Sequence, residues 1–170
     1  MPYSLGAKSR ANMRRVDPRL ADLIAPALAT CAVDFGVQEE QSRTWAEQAE
    51  KVRRGVSKTM NSTHVIKPGK THSTGIDLVP WIDERWQWGD SQWRVKTLAG
   101  PVVEPFYEIA AAMQRAAIER GTRVKWGAVW DRCLNDLPSG AKALKAAMEA
   151  YKVRHAGPDF VDGPHFELLD

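Results

Sequence analysis

Four histidines stand in the 170-residue chain, His64, His72, His155 and His165, and two of them have neighbours suited to metal chemistry. His64 ends Ser62-Thr63-His64 at the start of a polar stretch, Asp77 lies beyond the far end of that stretch, and His165 ends Asp162-Gly163-Pro164-His165. Two imidazoles and one carboxylate, with water in a fourth position, are a common ligand set for a catalytic zinc ion. No HExxH run is present, so the ligands do not come from a single helix and distant segments must supply them. Residues three apart on a regular strand point to opposite faces. Gly163-Pro164 interrupts that geometry, so Asp162 and His165 can converge on one cavity, one to bind an ion and the other to handle a proton. His155, between Arg154 and Ala156, reads as a surface residue.

The elements that must position these groups have clear local signals. Asp17 and Pro18 start a helix that carries Leu20, Leu23, Ile24, Ala27 and Leu28 on one face and runs to about Thr30. Val33, Phe35 and Val37 alternate as a short strand. Thr44 with Glu47 three residues on forms a capping box for a helix from Trp45 to about Arg54, ended by Gly55. Residues 57–75 are a long polar loop, a length that in a compact domain points to function. Ile76 to Pro80 reads as a strand stopped by its proline, and a helix from about Val102 to Arg120 turns Phe106, Ile109, Ala110, Met113 and Ala117 inward before Gly121. Val124–Trp126 is a strand, Ser139 to about Tyr151 a peripheral helix, and Phe166–Leu168 a closing strand that His165 immediately precedes. Helices and short strands mix without regular β-α-β alternation, which predicts an α+β fold.

Length predicts a single domain over residues 1–170. Basic residues outnumber acidic ones by 24 to 21, and the excess sits in residues 1–70, with 12 basic against 7 acidic, a bias that suits an anionic surface such as a bacterial wall. Cys31 and Cys133 form no CxxC pair, and Cys31 among Ala and Leu reads as a buried inert thiol in a reducing compartment. No apolar signal-peptide core precedes Arg15 and no run of about 18 apolar residues exists, so membrane insertion is not expected. A substrate outside the cytoplasm therefore requires some other agent to release the protein. Lys51, Arg53 and Arg54 near Trp45 lack a recognised module, which excludes nucleic acid as the expected partner. Most of the tryptophans read as core or rim packing rather than sugar platforms.

Three runs together resemble the M15 zinc metallopeptidases: Ser57 to His64, Gly75-Ile76-Asp77-Leu78-Val79-Pro80, and Asp162-Gly163-Pro164-His165-Phe166-Glu167-Leu168. Arg43-Thr44 with Glu47-Gln48, and Val16 to Leu20, are also similar to the phage L-alanyl-D-glutamate endopeptidase branch, which is related to VanY-type D-alanyl-D-alanine carboxypeptidases. The resemblance implies a small antiparallel sheet with flanking helices, in the manner of Hedgehog and D-Ala-D-Ala metallopeptidases. It implies a Zn2+ ion held by His64, Asp77 and His165, with Asp162 as acid/base where carboxypeptidase relatives often have Glu. It further implies Arg43 as a positive group near the scissile carbonyl or a substrate carboxylate, Ser62 as a substrate contact and Trp130 near the metal. The implied substrate is the peptidoglycan stem peptide, cut at L-Ala-D-Glu by an endolysin during host lysis. The protein would be a monomer, held in the host cytoplasm until release to the cell wall.

Three departures mark this chain. The family pattern SxHxxGxAxD places its Asp seven positions after its His, whereas His64 and Asp77 are thirteen apart, and Gly75 stands where Ala is usual. The expanded loop contains His72, a competing ligand, although His64 keeps the Ser-x-His context. Finally, Trp126-Gly127-Ala128-Val129-Trp130 resembles the family's WGGDW, but a helix around Ala141 to Ala150 lengthens the path to Asp162.

Overall fold

A computed structural model describes residues 3–39, 41–88, 93–155 and 161–169. The elements in chain order are α1 (Ala7–Asn12), α2 (Pro18–Thr30), β1 (Phe35–Val37), α3 (Trp45–Arg53), β2 (Gly75–Ile82), β3 (Arg85–Trp86), β4 (Val95–Lys96), β5 (Val102–Val103), α4 (Pro105–Arg120), β6 (Val124–Trp126), β7 (Val129–Cys133), α5 (Ala141–Arg154) and β8 (His165–Leu168). The fold is α+β. Its main sheet runs β1-β2-β8-β6-β7, with β3 added to β2, and every pairing is antiparallel.

One face of the sheet is closed by α2 and α4. Leu20, Leu23, Ile24, Ala27 and Leu28 of α2 meet Phe106, Ile109, Ala110, Met113 and Ala117 of α4, and all are buried in the same core as Ile76, Leu78, Trp126 and Phe166. Alternation along the strands puts those four on the covered side. It leaves Asp77, Trp81, His165 and Glu167 for the other. That division places the chemistry on the face opposite α2 and α4, where Val79 is also buried.

Local signals set the ends of the helices. Asp17 caps α2 by accepting from the Arg19 amide, and Thr44 and Glu47 make both bonds of the capping box on α3. Gly121 ends α4 in the left-handed region at φ 65°, where glycine carries no steric penalty.

Four sequence expectations need correction. Pro80 does not stop β2, which continues to Ile82. Leu78 donates to Pro164 on the β8 side, so by alternation the position of the missing Pro80 amide proton faces that side, beyond the end of the β8 pairing, while Trp81 donates to Asp34 on the other. The long helix begins at Pro105 rather than Val102, because Val102–Val103 pairs with β4 and a residue before proline avoids the helical region. A strand at Val129–Cys133, paired with β6, was not expected. His165 is the first residue of β8 rather than its predecessor. Cys31 is buried, and burial pushes its thiol up to about 11, which keeps it unreactive.

Candidate metal centre and cleft

Register brings two of the candidate ligands together. Asp77 and His165 are direct partners across β2 and β8, so their side chains leave the sheet on the same face. Asp77 Oδ1 lies 3.0 Å from His165 Nδ1, and Asp77 Oδ2 lies 3.4 Å from His64 Nε2. One ligand atom from each of His64, Asp77 and His165 falls within 4.8 Å of the others, a group that could hold a metal ion. Asp77 is half-buried and both imidazoles are buried, their ring centroids 5.0 Å apart.

The remaining ring nitrogens are held from behind. His64 Nδ1 donates to the Gln41 backbone carbonyl at 3.3 Å, which turns Nε2 inward toward Asp77. His165 Nε2 faces Thr63 Oγ1 at 3.2 Å and the Glu167 carboxylate at 3.4 Å, which leaves Nδ1 for the centre. A carboxylate behind a ligand imidazole is the usual support of a metal-bound histidine. Gln41 ties a second ligand as well, since its side-chain Oε1 accepts from the Asp77 amide at 2.6 Å. The donor set and its supports therefore fit a tetrahedral ion with one open position.

Electrostatics agree with that geometry. Burial works to raise the Asp77 carboxyl, but hydrogen bonds from His165 and His64 outweigh it and hold the group well below the usual carboxylate range. For His165, burial works against the charged form, yet the bonds to Asp77 and Glu167 lift it to about 9. The site is thus a negative well that holds a proton when it holds no ion.

The extra loop residues do not disturb this centre. The Thr63 carbonyl accepts from both Thr74 and Gly75, closing the loop at its neck, while Ser73 exchanges backbone bonds with Arg15 and Asp17. The insertion bulges outward, and lengthening a closed loop costs little. Gly75 is required at the neck: a Cβ there would stand 2.2 Å from Thr63 Oγ1 and 3.0 Å from His165 Cε1. His72 lines a separate surface cavity with Asp17, Arg19 and Lys70, bonded to Thr71 and away from the ligand group.

A cleft of about 300 Å3 opens over the centre, lined by Ser62, Thr63, His64, Trp130, Asp162 and His165 among others. Trp130 lies with its ring centroid 5.6 Å from that of His165. The Asp162 carbonyl accepts from His165 in the turn through Gly163-Pro164, and its amide donates to Gly127. Gly127 has no room for a side chain, since a Cβ would come within 2.4 Å of the Asp162 carbonyl. Burial, and after it the charge of Asp77, raises the Asp162 carboxyl above its ordinary range. Ser62 Oγ accepts from the His64 amide at 3.3 Å and so shapes the ligand turn as well as the cleft wall.

Residues 1–169 match the family described as phage L-alanyl-D-glutamate peptidase. The chain belongs to that family. It is 27% identical over 134 residues to the L-alanyl-D-glutamate peptidase of Escherichia phage T5, covering 77% of this chain and 84% of that protein. Its fold is similar to the crystal structure of the Serratia marcescens L-Ala D-Glu endopeptidase ChiX, with a TM-score of 0.62 and 27% identity over 99% of this chain and 91% of the other.

Arg43 is the candidate that lies apart. Its backbone exchanges bonds with His64 and Ile66, but its side chain lines a neighbouring cavity of about 630 Å3 with Glu47, Glu50, Lys51 and Arg54. Sequence reasoning missed Gln41, Thr63 and Glu167 as supports. Only Glu167 carried a local signal, being two residues after His165 on a strand and so on the same face.

Proposed function

We propose that this peptidase is a zinc-dependent endolysin that hydrolyses the L-Ala-D-Glu bond of peptidoglycan stem peptides during host lysis. His64, Asp77 and His165 hold the ion, and Asp162 is the acid/base. The observation that carries the reading is the convergence of three ligand atoms within 4.8 Å beneath a cleft that also presents a carboxyl raised by burial. A bound zinc ion supplies Lewis acidity, polarising the scissile carbonyl and lowering the pKa of water toward about 7.

The protein's own groups do the rest. Asp162 accepts a proton from the attacking water and returns it to the departing amine nitrogen, a task that suits a carboxyl raised above its ordinary range by burial. Gln41 and Glu167 keep the ligand rings in one orientation. Trp130 stands beside His165 in the cleft wall, and Ser62, in the same cleft, contacts the peptide. Arg43, beside Lys51 and Arg54, receives a carboxylate of the stem peptide rather than the charge developing at the scissile carbonyl, because its side chain opens into the adjacent cavity.

The chain acts as one catalytic unit over residues 1–170, as a monomer, reaching the wall from the host cytoplasm once the inner membrane is opened. Among the described residues no helix is long and apolar enough to cross a membrane. Digestion of purified wall, followed by identification of new amino termini, tests the proposal. A new D-Glu terminus is the expected product; release of free D-Ala alone would replace the endopeptidase reading with a carboxypeptidase.

A further inference from the structure

The sheet face that carries Asp77 and His165 has a second feature, beyond the buried Val79, that the peptidase centre does not use. Asp77 and Trp81 lie four residues apart on β2, on the same side of the strand, which places Trp81 about 13 Å along the sheet from the ligand group at ~3.3 Å per residue. Trp81 is the register partner of Trp86 on β3, and their rings pack edge to face with centroids 4.7 Å apart. The hairpin joining them turns at Asp83 and Glu84, both with positive φ, and Asp83 Oδ2 is bonded to the Leu98 amide at 2.6 Å. The Trp86 ring covers Gly36, where a Cβ would stand 2.6 Å from it. The pair is therefore a braced platform, and Trp81 keeps 36% of its surface in water.

Polar groups stand beside the rings. A groove of about 430 Å3 is lined by Trp81, Trp86, Asp34, Lys8 and Ser4 among others, and Trp81 and Asp34 also line a second cavity of about 300 Å3. Asp34 is half-buried, with its backbone carbonyl taken by the Trp81 amide. An exposed aromatic face flanked by a carboxylate and a few donors matches a sugar ring, whose C–H face stacks on the indole while its hydroxyls and amide meet the polar groups.

We propose that Trp81, Trp86 and Asp34 form a binding subsite for the glycan strand of peptidoglycan. The inference rests on the proposed cleavage of the stem peptide. In that polymer the L-Ala nitrogen is joined through a lactyl group to muramic acid, so the sugar lies about two residue lengths, roughly 7 Å, from the scissile carbonyl. A strand passing that sugar reaches a platform about 13 Å from the ligand group. The subsite selects stem peptides still attached to glycan over free peptides.

The test uses the full chain and two substrates, intact sacculi and a glycan-free L-Ala-D-Glu-diaminopimelate peptide, with Trp81→Leu and Asp34→Asn variants. Each variant is expected to raise KM for sacculi about three- to tenfold, the worth of one stacking or polar contact. Turnover of the free peptide should stay at the wild-type level. Stem-peptide-free glycan strands should shift the indole Nε1 resonances of the wild type and not those of Trp81→Leu. Absence of glycan binding by the wild type overturns the subsite while leaving cleavage intact. So does an equal loss on both substrates, or self-association of the chain through Trp81. Failure of the wild type to cut either substrate at L-Ala-D-Glu instead removes the functional reading beneath it.

Discussion

Asp77 and His165 face each other across adjacent antiparallel strands, with Oδ1 and Nδ1 3.0 Å apart, although 88 residues of chain separate them. The pair fixes the floor of the centre. His64 approaches from the loop above, and one further carboxyl, Asp162, comes from the turn that leads into β8. Each of these placements has a consequence that can be measured.

Removal of the ion should both inactivate and destabilise the protein. At a metal concentration 100 times its Kd, binding stabilises the fold by about 2.7 kcal/mol. For a domain of this size that corresponds to a Tm lower by roughly 5–10 °C in chelator. His64→Ala, Asp77→Ala and His165→Ala should each abolish the metal-dependent part of the shift and the clearing of outer-membrane-permeabilised cells. A chelator-resistant lytic activity would sink the zinc assignment.

Asp162→Asn should keep the metal and lose the reaction. Loss of a positioned acid/base lowers kcat by about 10²–10⁴-fold. Metal content per chain should stay at the wild-type value, and KM should move little because the amide preserves the shape of the cleft wall. Full activity in this variant would take Asp162 out of the mechanism.

Glu167→Ala should weaken metal binding without touching a ligand. Its carboxylate stands behind His165 Nε2 and is itself paired with Lys125 at 3.6 Å. Loss of such a support typically lowers metal affinity 10–100-fold. Competition with a chromophoric chelator reads the change directly, and an unaltered affinity would make Glu167 a bystander.

Metal uptake near pH 7.5 should expel about one proton. In the metal-free chain Asp77 and Glu167 overcome burial and hold His165 at about 9, whereas a ligand imidazole must be neutral. The sign follows from the raised value. The stabilisation of the metal-free fold by this proton is complete below the unfolded pKa of about 6.5 and disappears as pH rises through about 9. Metal affinity runs the opposite way, rising across the same window. Calorimetry in buffers of different ionisation enthalpy counts the proton, and a buffer-independent heat would contradict the coupling.

Gly75→Ala, although it restores the residue usual in the family, should destabilise this chain by about 1–3 kcal/mol, the cost of overpacking. The added methyl meets Thr63 Oγ1 and crowds His165. Thr63→Ala removes that oxygen and should recover part of the loss, which chemical denaturation of the single and double variants would measure. Simple additivity would mean that the neck is looser than its contacts imply.

The sequence by itself determined whatever depends on a few neighbouring residues. Asp17, Thr44, Glu47 and Gly121 mark helix ends because caps act within one turn, and the spacing of Leu20 to Leu28 and Phe106 to Ala117 marks the buried faces. The types of His64, Asp77, Asp162 and His165 likewise limited the chemistry before any fold was known, helped by order along the chain. Tertiary structure alone decided which groups meet. Pro80 stays inside β2 because its missing donor falls beyond the last β8 partner, and Val102–Val103 is a strand because β4 is there to pair with it. Gln41 supports both His64 and Asp77 from 23 and 36 residues away, the Arg43 side chain turns into a different cavity, and His72 is carried off by a loop pinched at Thr63. Strand register and loop closure are long-range properties, set by the packing of the whole sheet on α2 and α4, and no window of sequence contains them.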